Sequence, residues 1–378
     1  DPTMLRRLVL PTALCCAVLT AVPARAAHGQ PTLPPAADVG AETVATGLSW
    51  PWGLAFLPDG DMLVTERPGN LRRVAADGTV GEPLGGVPAV AYGGQGGLLD
   101  VLLHPDFAAN GLVYLSYAHG TLNSNATRIA RARLGDAGLE DLEVIFTVEP
   151  QKDTPQHYGG AMAWLPDGTL LLTTGDGFDH REQAQDPASM LGKTIRIAAD
   201  GSIPADNPFV GRDDAADAVW TWGHRNPQGL AVDPATGRVY QHEHGPRGGD
   251  ELNLLEPGVN YGWPAATYGI DYSGAYVSPF QTLPGMRGPV TYWVPSIAPS
   301  GLAIYRGARH PDWDGDLFLG ALVDREVRRL DMEDGAVVGQ QSLLGALGER
   351  IRDVVLGPDG HLYALTDSAE GRILRIVR

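Results

Sequence analysis

One short phrase returns six times along this sequence, and it limits the possible folds more than any other feature. Each copy is an apolar run, a turn built around Pro-Asp-Gly or an equivalent, and a second run of strand-forming residues. The copies span 53–66, 97–118, 161–177, 229–245, 301–322 and 353–367. A strand, a tight Asp-Gly turn and a second strand form a β-hairpin. Repeats of this size with several strands each are typical of propeller blades.

The spacing of the copies predicts one large domain with uneven insertions. The turns are marked by aspartates 47 to 79 residues apart, at Asp59, Asp106, Asp167, Asp233, Asp312 and Asp359. We therefore predict an all-β, six-bladed β-propeller over residues 39–378, with long inter-strand loops that form a binding site at one end of the axis. A β-sandwich with coincidental turns is the alternative, but a sandwich does not need the same phrase six times.

The first 38 residues are expected to precede the folded domain. Residues 1–3 resemble an expression remnant, 4–26 follow the charged, apolar and small-residue plan of a signal peptide, and 27–38 resemble a flexible leader. A membrane anchor is the alternative, but the apolar run is shorter than about 20 residues. We expect an exported protein, periplasmic or secreted, without stable membrane insertion. Both cysteines, at positions 15 and 16, lie in the signal segment.

The composition argues against one class of partner. Hydrophobic residues make up 43% of the chain and charged residues 19%, which indicates a globular protein with a sizeable core. The formal net charge is −17. Nucleic-acid binding needs a basic face, so we expect no nucleic-acid partner. The charge does not bear on small neutral substrates.

His157 and Asp176 are a candidate acid–base pair. His157 stands at the entrance to the third hairpin, and Asp176 ends its second strand. A hairpin returns the chain to the rim it left, so the two side chains are expected to be neighbours. A carboxylate that holds one imidazole nitrogen raises the basicity of the other, as a general base requires. The alternative is a histidine that caps a loop, with its ring packed on Tyr158.

Arginines at the entrances to two repeats predict an anion site. Arg225 stands beside Asn226, and Arg350 and Arg352 alternate on a strand, so both are expected on one face. Guanidinium groups near the axis of an acidic molecule suit a polycarboxylate or a phosphate. The alternative is surface salt bridging to neighbours such as Glu349.

The segment 243–264 is a candidate metal site. It carries hard oxygen donors in the side chains of Glu243, Asp250, Glu251 and Asn253 and in the backbone carbonyls around Gly245 and Pro246. Oxygen donors without cysteine favour Ca²⁺. The spacing is not that of an EF-hand, so ordinary loop chemistry stays open. Gln95 lies between glycines that allow a ligand close to the backbone.

Taken together, these motifs resemble the soluble, pyrroloquinoline quinone (PQQ)-dependent aldose sugar dehydrogenases, relatives of soluble quinoprotein glucose dehydrogenase. The resemblance runs from about residue 40 to the end of the chain. It depends on several rare strings in the right order, among them GGQGGLLDVLLHPDF, GHRNPQGLAVDP and RIRDV. It implies PQQ- and Ca²⁺-dependent oxidation of aldose sugars at C1 to lactones, with electrons passed to an external quinone, dye or redox protein.

The resemblance also implies residue roles. His157 would be the catalytic base, Asp176 its partner, and Arg225 the group that polarises the reacting quinone oxygen. Cofactor contacts are implied for Gln95, Arg225, Asn226, Tyr272, Arg350 and Arg352. Calcium ligands are implied at the carbonyls of Gly245 and Pro246 beside the cofactor, and at Glu251 and the carbonyl of Tyr261 in a second, structural site.

Two departures from the family pattern, and two other functions, are also considered. Val323 stands where the family commonly has a lysine, which removes a cation unless Arg325 replaces it. Gln156 stands where the glucose dehydrogenase has a sugar-binding aspartate, which weakens the expectation of glucose itself.

One alternative function is a secreted, non-catalytic propeller that binds a glycan or a protein. A Ca²⁺-dependent lactonase is disfavoured because a neutral lactone needs no arginine cluster.

Overall fold

Six four-stranded antiparallel sheets surround a central axis in the computed structural model, which describes residues 31–378. The innermost strand of each sheet lines an axial cavity of about 310 Å³. This arrangement confirms the predicted six-bladed β-propeller. The predicted signal peptide and residues 27–30 of the predicted leader lie outside the described residues. Within residues 31–378, no helix is long and apolar enough to cross a membrane.

The strands follow one another blade by blade. After β1 (Gly40–Leu48), blade 1 contains β2 (Pro51–Phe56), β3 (Met62–Glu66), β4 (Asn70–Val74) and β5 (Val80–Pro83). Blade 2 contains β6 (Leu98–Leu103), β7 (Leu112–Thr121), β8 (Ser124–Leu134) and β9 (Leu139–Thr147). Blade 3 contains β10 (Met162–Trp164), β11 (Leu170–Thr173), β12 (Lys193–Ile197) and β13 (Val219–Trp222).

The remaining blades repeat the plan. Blade 4 contains β14 (Pro227–Val232), β15 (Val239–Glu243), β16 (Asp250–Leu255) and β17 (Thr291–Trp293). Blade 5 contains β18 (Pro299–Ile304), β19 (Leu317–Ala321), β20 (Glu326–Glu333) and β21 (Ala336–Leu343). Blade 6 contains β22 (Ile351–Leu356), β23 (Leu362–Thr366) and β24 (Gly371–Val377). In the described part of the chain, helical structure is limited to α1 (Phe107–Asn110) and the 3₁₀ turns Arg181–Gln185, Pro311–Trp313 and Gly345–Leu347.

The sixth blade is completed by the first strand of the described chain. Strand β1 pairs antiparallel with β24, from Gly40 opposite Val377 to Leu48 opposite Gly371. Residues 31–36, where we expected a flexible leader, form backbone hydrogen bonds with β21, as between the Leu33 N–H and the Gln340 carbonyl at 2.7 Å. Both ends of the described chain are therefore hydrogen bonded to outer strands.

The repeated phrase forms the two innermost strands of each blade. In the first copy, the Asp59 carboxylate accepts the Asp61 N–H at 3.0 Å, and Gly60 has a φ of 93°, which favours glycine. The second strand is buried along its whole length in blades 1, 3, 4, 5 and 6. Neighbouring blades cover both of its faces, which explains why most copies read as an apolar run after the turn rather than an alternation.

The largest insertion carries side chains to one end of the axis. We call this end, where the inner strands begin, the site face. Residues 256–290 leave β16 at the opposite end and run along the outer strand of blade 3, where the Trp222 N–H donates to the Val259 carbonyl. Further on, the Trp263 N–H donates to the Gly223 carbonyl at 3.0 Å. The insertion thereby places Trp263 and Tyr272 at the site face.

Candidate functional site

His157 and Asp176 form a buried pair at the site face. Their Nδ1 and Oδ1 atoms are 2.6 Å apart, and the His157 side chain is only 4% exposed. Asp176 is held from two further directions, because the indole N–H of Trp263 donates to Oδ2 at 2.7 Å and the Phe178 N–H donates to Oδ1 at 2.8 Å. The hairpin therefore brings the two predicted residues into contact, with the carboxylate fixed by donors.

The surroundings of His157 keep its imidazole neutral. Burial lowers its pKa below the usual value of about 6.5, and the positive charges of Arg225 and Lys152 act in the same direction. The Asp176 carboxylate opposes this shift without cancelling it. Since Nδ1 faces that carboxylate, Nδ1 carries the proton and Nε2 carries the free lone pair. The arrangement suits a proton acceptor.

Gln95 and Asn226 hold the backbone around the histidine. The Gln95 side-chain oxygen accepts the His157 N–H at 2.8 Å and lies 3.5 Å from the Asn226 amide nitrogen. The Asn226 side-chain oxygen accepts the Gly159 N–H at 3.2 Å. His157 has a φ of 52°, in the left-handed region, so these bonds stabilise a strained conformation. Both predicted cofactor contacts thus lie beside the predicted base.

Among residues 31–378, no carboxylate pairs with the guanidinium of Arg225. Its Nη1 donates to the carbonyl oxygens of Gly245 at 2.6 Å and His244 at 3.1 Å. Its Nη2 lies 3.4 Å from the Tyr272 hydroxyl, and its Cζ lies 5.3 Å from the centre of the Trp263 ring. Carbonyl and aromatic partners leave the positive charge without neutralisation. The structure therefore brings Arg225 and Tyr272 together, as expected of two contacts to one ligand.

Arg350 and Arg352 share one carboxylate. Asp367, at the end of the sixth hairpin, accepts Nη2 of Arg350 at 2.9 Å and Nη2 of Arg352 at 3.1 Å. Arg352 is buried and also donates through Nη1 to the side-chain oxygens of Gln228 and Ser300 in blades 4 and 5. Within residues 31–378, Arg350 and Arg352 thus have one carboxylate between them at ion-pair distance.

The predicted metal loop is anchored by a carboxylate that we had considered a ligand. Asp250 accepts the backbone N–H groups of Gly245, Ile297 and Ala298, each at 2.8 Å, and the Ser296 hydroxyl at 2.9 Å. Its lone pairs are thus used within the protein, so Asp250 is an anchor of the loop rather than a free donor. The Gly245 carbonyl accepts an N–H of Arg225, but a carbonyl oxygen has two lone pairs, so the second one can serve as a hard oxygen donor.

Behind the loop, two carboxylates and an amide oxygen meet without a matching cation. Burial raises the pKa of Glu251 well above its usual range, and the neighbouring Glu243 adds to the shift. The buried side-chain oxygen of Asn253 has no hydrogen-bond partner. Oxygen donors in this state fit a hard cation such as Ca²⁺. Within residues 31–378, no group of three or more histidine, cysteine, aspartate or glutamate side chains is arranged to hold a metal, so such a site also needs carbonyl oxygens.

Comparison with known proteins identifies the family. A model of the glucose / sorbosone dehydrogenases matches residues 48–375. The chain belongs to the glucose/sorbosone dehydrogenase family. The family and the class of quinoprotein oxidoreductase predicted from the sequence are thereby confirmed.

Individual members of the glucose/sorbosone dehydrogenase family align with nearly all of the propeller. The aldose sugar dehydrogenase YliI of Escherichia coli is 41% identical over 346 residues, which cover 90% of this chain and 93% of YliI. A crystal structure of a glucose dehydrogenase is 46% identical with a TM-score of 0.88, covering 90% of this chain and 99% of that one. The PQQ-bound form of the aldose sugar dehydrogenase from Streptomyces coelicolor is 30% identical with a TM-score of 0.72, covering 91% and 100%.

Two positions at which this member of the glucose/sorbosone dehydrogenase family departs from the expected pattern lie at the site face. Val323 is 57% exposed, and its N–H donates to the Ile297 carbonyl at 3.0 Å. Arg325 is exposed, and its Nη1 lies 3.4 Å from the Gly348 carbonyl. Gln156 is half-buried next to His157. The side chain of Arg325 thus contacts the loop that leads to Arg350.

Sequence reasoning missed Asp367, Gln228 and Trp263. For Asp367 a signal was present, because four of the six hairpins carry an acidic residue at or just after the end of the second strand, at Glu66, Asp176, Glu243 and Asp367. Glu349, which the alternative interpretation of the arginines considered as a salt-bridge partner, pairs with Arg372.

Proposed function

We propose that this protein oxidises aldose sugars at C1 to lactones, using PQQ and Ca²⁺, and passes the electrons to an external acceptor. The observation that carries the proposal is the buried His157–Asp176 pair beside an arginine cluster with too few carboxylates. A base next to an unneutralised anion site suits a sugar hydroxyl and a polycarboxylate cofactor at one place. The aldose sugar dehydrogenase names among relatives with high coverage support the substrate class.

The residues that would hold PQQ are those that converge on the site face. The arginines would bind its carboxylates, and the other groups would line it, which gives the set Gln95, Arg225, Asn226, Tyr272, Arg350 and Arg352. The fit is electrostatic, since Arg350 and Arg352 share the carboxylate of Asp367 and the Arg225 guanidinium pairs with no carboxylate within residues 31–378, so an anion of several charges can bind them. When bound, PQQ would supply the two-electron acceptor that takes a hydride from the sugar, with Ca²⁺ as a Lewis acid.

Calcium would be held by oxygen atoms of the segment after β15. We propose the carbonyls of Gly245 and Pro246 for the ion beside the cofactor, and Glu251 with the Tyr261 carbonyl for a second, structural ion. A Cβ at Gly245 would lie 2.2 Å from the Gly248 carbonyl oxygen, so the tight fold of the first segment requires glycine. The unpartnered Asn253 oxygen beside Glu251 supports the second site.

Side chains of this protein would accept the proton and stabilise the resulting charge. Nε2 of His157 would accept the proton of the C1 hydroxyl, because Nδ1 is committed to Asp176. The Asp176 carboxylate would stabilise the imidazolium that forms, and the indole N–H of Trp263 would keep that carboxylate in place. The exposed rings of Phe178 and Tyr272 would cover the histidine and limit the access of water. We also propose export, on the signal-like sequence of residues 4–26.

Reconstitution tests the proposed function directly. The purified protein, mixed with PQQ and Ca²⁺, is expected to reduce an artificial dye when aldoses are added, because the sugar supplies two electrons per turnover. Treatment with EDTA should remove this activity and added Ca²⁺ should restore it. A bovine albumin control with the same PQQ corrects for free cofactor. If dye reduction is absent across a sugar panel and calorimetry detects no PQQ binding, the non-catalytic binding propeller is the better description.

The pH profile tests the role of His157. The base must be neutral to accept a proton, and activity falls as the pH drops through its pKa. Burial lowers that pKa, so the acid limb of kcat/KM is expected below pH 6.5. His180→Gln changes an exposed histidine on the same face and should leave the limb in place. An acid limb clearly above pH 6.5 in the wild-type enzyme contradicts this assignment.

A further inference from the structure

Arg67 is held between two aromatic rings at the site face. It follows β3, and its Cζ lies 5.5 Å from the centre of the Trp50 ring and 5.8 Å from that of Tyr92. Its backbone is fixed as well, because its N–H donates to the Trp50 carbonyl and its carbonyl accepts the Leu98 N–H, both at 3.0 Å. Two rings on one guanidinium restrict where its N–H groups can point.

Arg67 is half-buried, and its guanidinium differs in its partners from those of the neighbouring arginines on the same blade. Within residues 31–378, no carboxylate lies within ion-pair distance of it, and its Nε is buried without a hydrogen-bond acceptor. On the same blade, Arg72 pairs with Glu66, and Arg73 pairs with Asp59 and Asp61. Leaving a buried N–H and a charge unpaired is costly unless a ligand provides the acceptor.

Arg67 lies between two groups of residues that we propose to bind the cofactor. A Cβ at Gly97 would lie 2.7 Å from Cγ of Arg67, so glycine there lets the arginine lie against the loop that carries Gln95. On the other side, Arg67 is close enough to Arg352 for its positive charge to lower the pKa of that arginine, although burial lowers it more. Arg67 thus lies between the loop that carries Gln95 and the arginines of blade 6.

We infer that Arg67 is a further anion-binding residue of the cofactor site and that it contacts a carboxylate of PQQ. The inference deepens the proposed function and depends on it. Trp50 and Tyr92 act as positioning residues, because the two rings restrict the orientation of the guanidinium. With Arg67 included, the site has four guanidinium groups, and within residues 31–378 only those of Arg350 and Arg352 pair with a carboxylate, that of Asp367. A ligand with several carboxylates can bind the two that remain unpaired.

Calorimetric titration of PQQ into the full-length protein with Ca²⁺ tests the inference. Arg67→Gln removes the charge and is expected to weaken PQQ binding by roughly 10- to 100-fold, as for loss of a charged hydrogen bond. Arg67→Lys keeps the charge without the planar fork and should recover part of the affinity. Arg73→Gln, which removes an arginine that pairs with Asp59 and Asp61 on the same blade, is the matched control and should bind as the wild type does.

A second titrant separates a carboxylate contact from a structural role. The trimethyl ester of PQQ carries no carboxylate charge, so the wild type and Arg67→Gln should bind it equally. If both ligands lose affinity by the same factor while the apoprotein melts lower, Arg67 is structural and the inference is wrong. Wild-type affinity of Arg67→Gln for PQQ itself overturns the inference and leaves the proposed function intact. If the wild type does not bind PQQ, the proposed function fails, and the inference fails with it.

Discussion

Replacing His157 with alanine is expected to lower kcat/KM for aldoses by about 10²–10⁴-fold, the usual contribution of a positioned general base. PQQ binding should change little, because the proposed cofactor contacts are the arginines and not the imidazole. The Asp176 carboxylate stays held by Trp263 and Phe178 in the variant, so the surrounding structure is retained. Steady-state kinetics and calorimetric PQQ titration measure the two effects separately.

Two comparisons make the His157 experiment specific. His180→Ala removes an exposed histidine that pairs with Asp153 on the same face, and it should leave turnover unchanged. Trp263→Phe removes the N–H that holds Asp176 and should lower kcat less than His157→Ala does, because the Phe178 N–H still binds the carboxylate. If His157→Ala loses PQQ binding and turnover to the same extent, the histidine is structural and the proposed mechanism is wrong.

Replacing Asp367 with asparagine is expected to destabilise the apoprotein by about 3–5 kcal/mol, the usual cost of removing one partner of a buried ion pair. The buried Arg352 would lose its only carboxylate within residues 31–378, and Arg350 would lose the same one. Thermal unfolding of the apoprotein measures the loss. Added PQQ should recover part of it, because its carboxylates would replace the missing charge.

Asp312→Asn is the matched control for Asp367→Asn. Asp312 pairs with Arg378 at an exposed site, where an ion pair contributes about 0–1 kcal/mol. Burial raises the pKa of Asp367, but Arg352 and Arg350 outweigh it and hold the pKa below the usual 3.8. This stabilisation is therefore complete above pH 3.8 and is lost as the pH falls through the lowered value. Equal melting temperatures for the two variants contradict the assignment.

The blades could be predicted because their signal is local. Each copy of the phrase contains its own turn and its own apolar run, as in 53–66. The uneven spacing of the copies predicted insertions, but the path of residues 256–290 along blade 3 depends on contacts with residues such as Trp222 that no periodicity encodes. Strand β1 was not predicted either, because it lies outside the repeated phrase.

The same distinction between local signals and contacts of distant segments applies to the candidate site. His157 and Asp176 could be paired in advance, since a single hairpin separates them by 19 residues. Trp263 lies 87 residues from the carboxylate that it holds, and Gln228 lies 124 residues from Arg352. Such contacts are created by the circular arrangement of blades, which brings distant segments to one face. A single sequence gives no distance information across the ring.

The pairing of β1 with β24 determines when the ring of blades can close. Strand β1 leaves the ribosome well before β24, so β1 has no partner until the other blades have been synthesised. Closing the ring of blades therefore waits for residues 371–377, and a fragment that ends before Gly371 leaves blade 6 without its outer pair. Contacts between such distant segments make closure entropically expensive and slow.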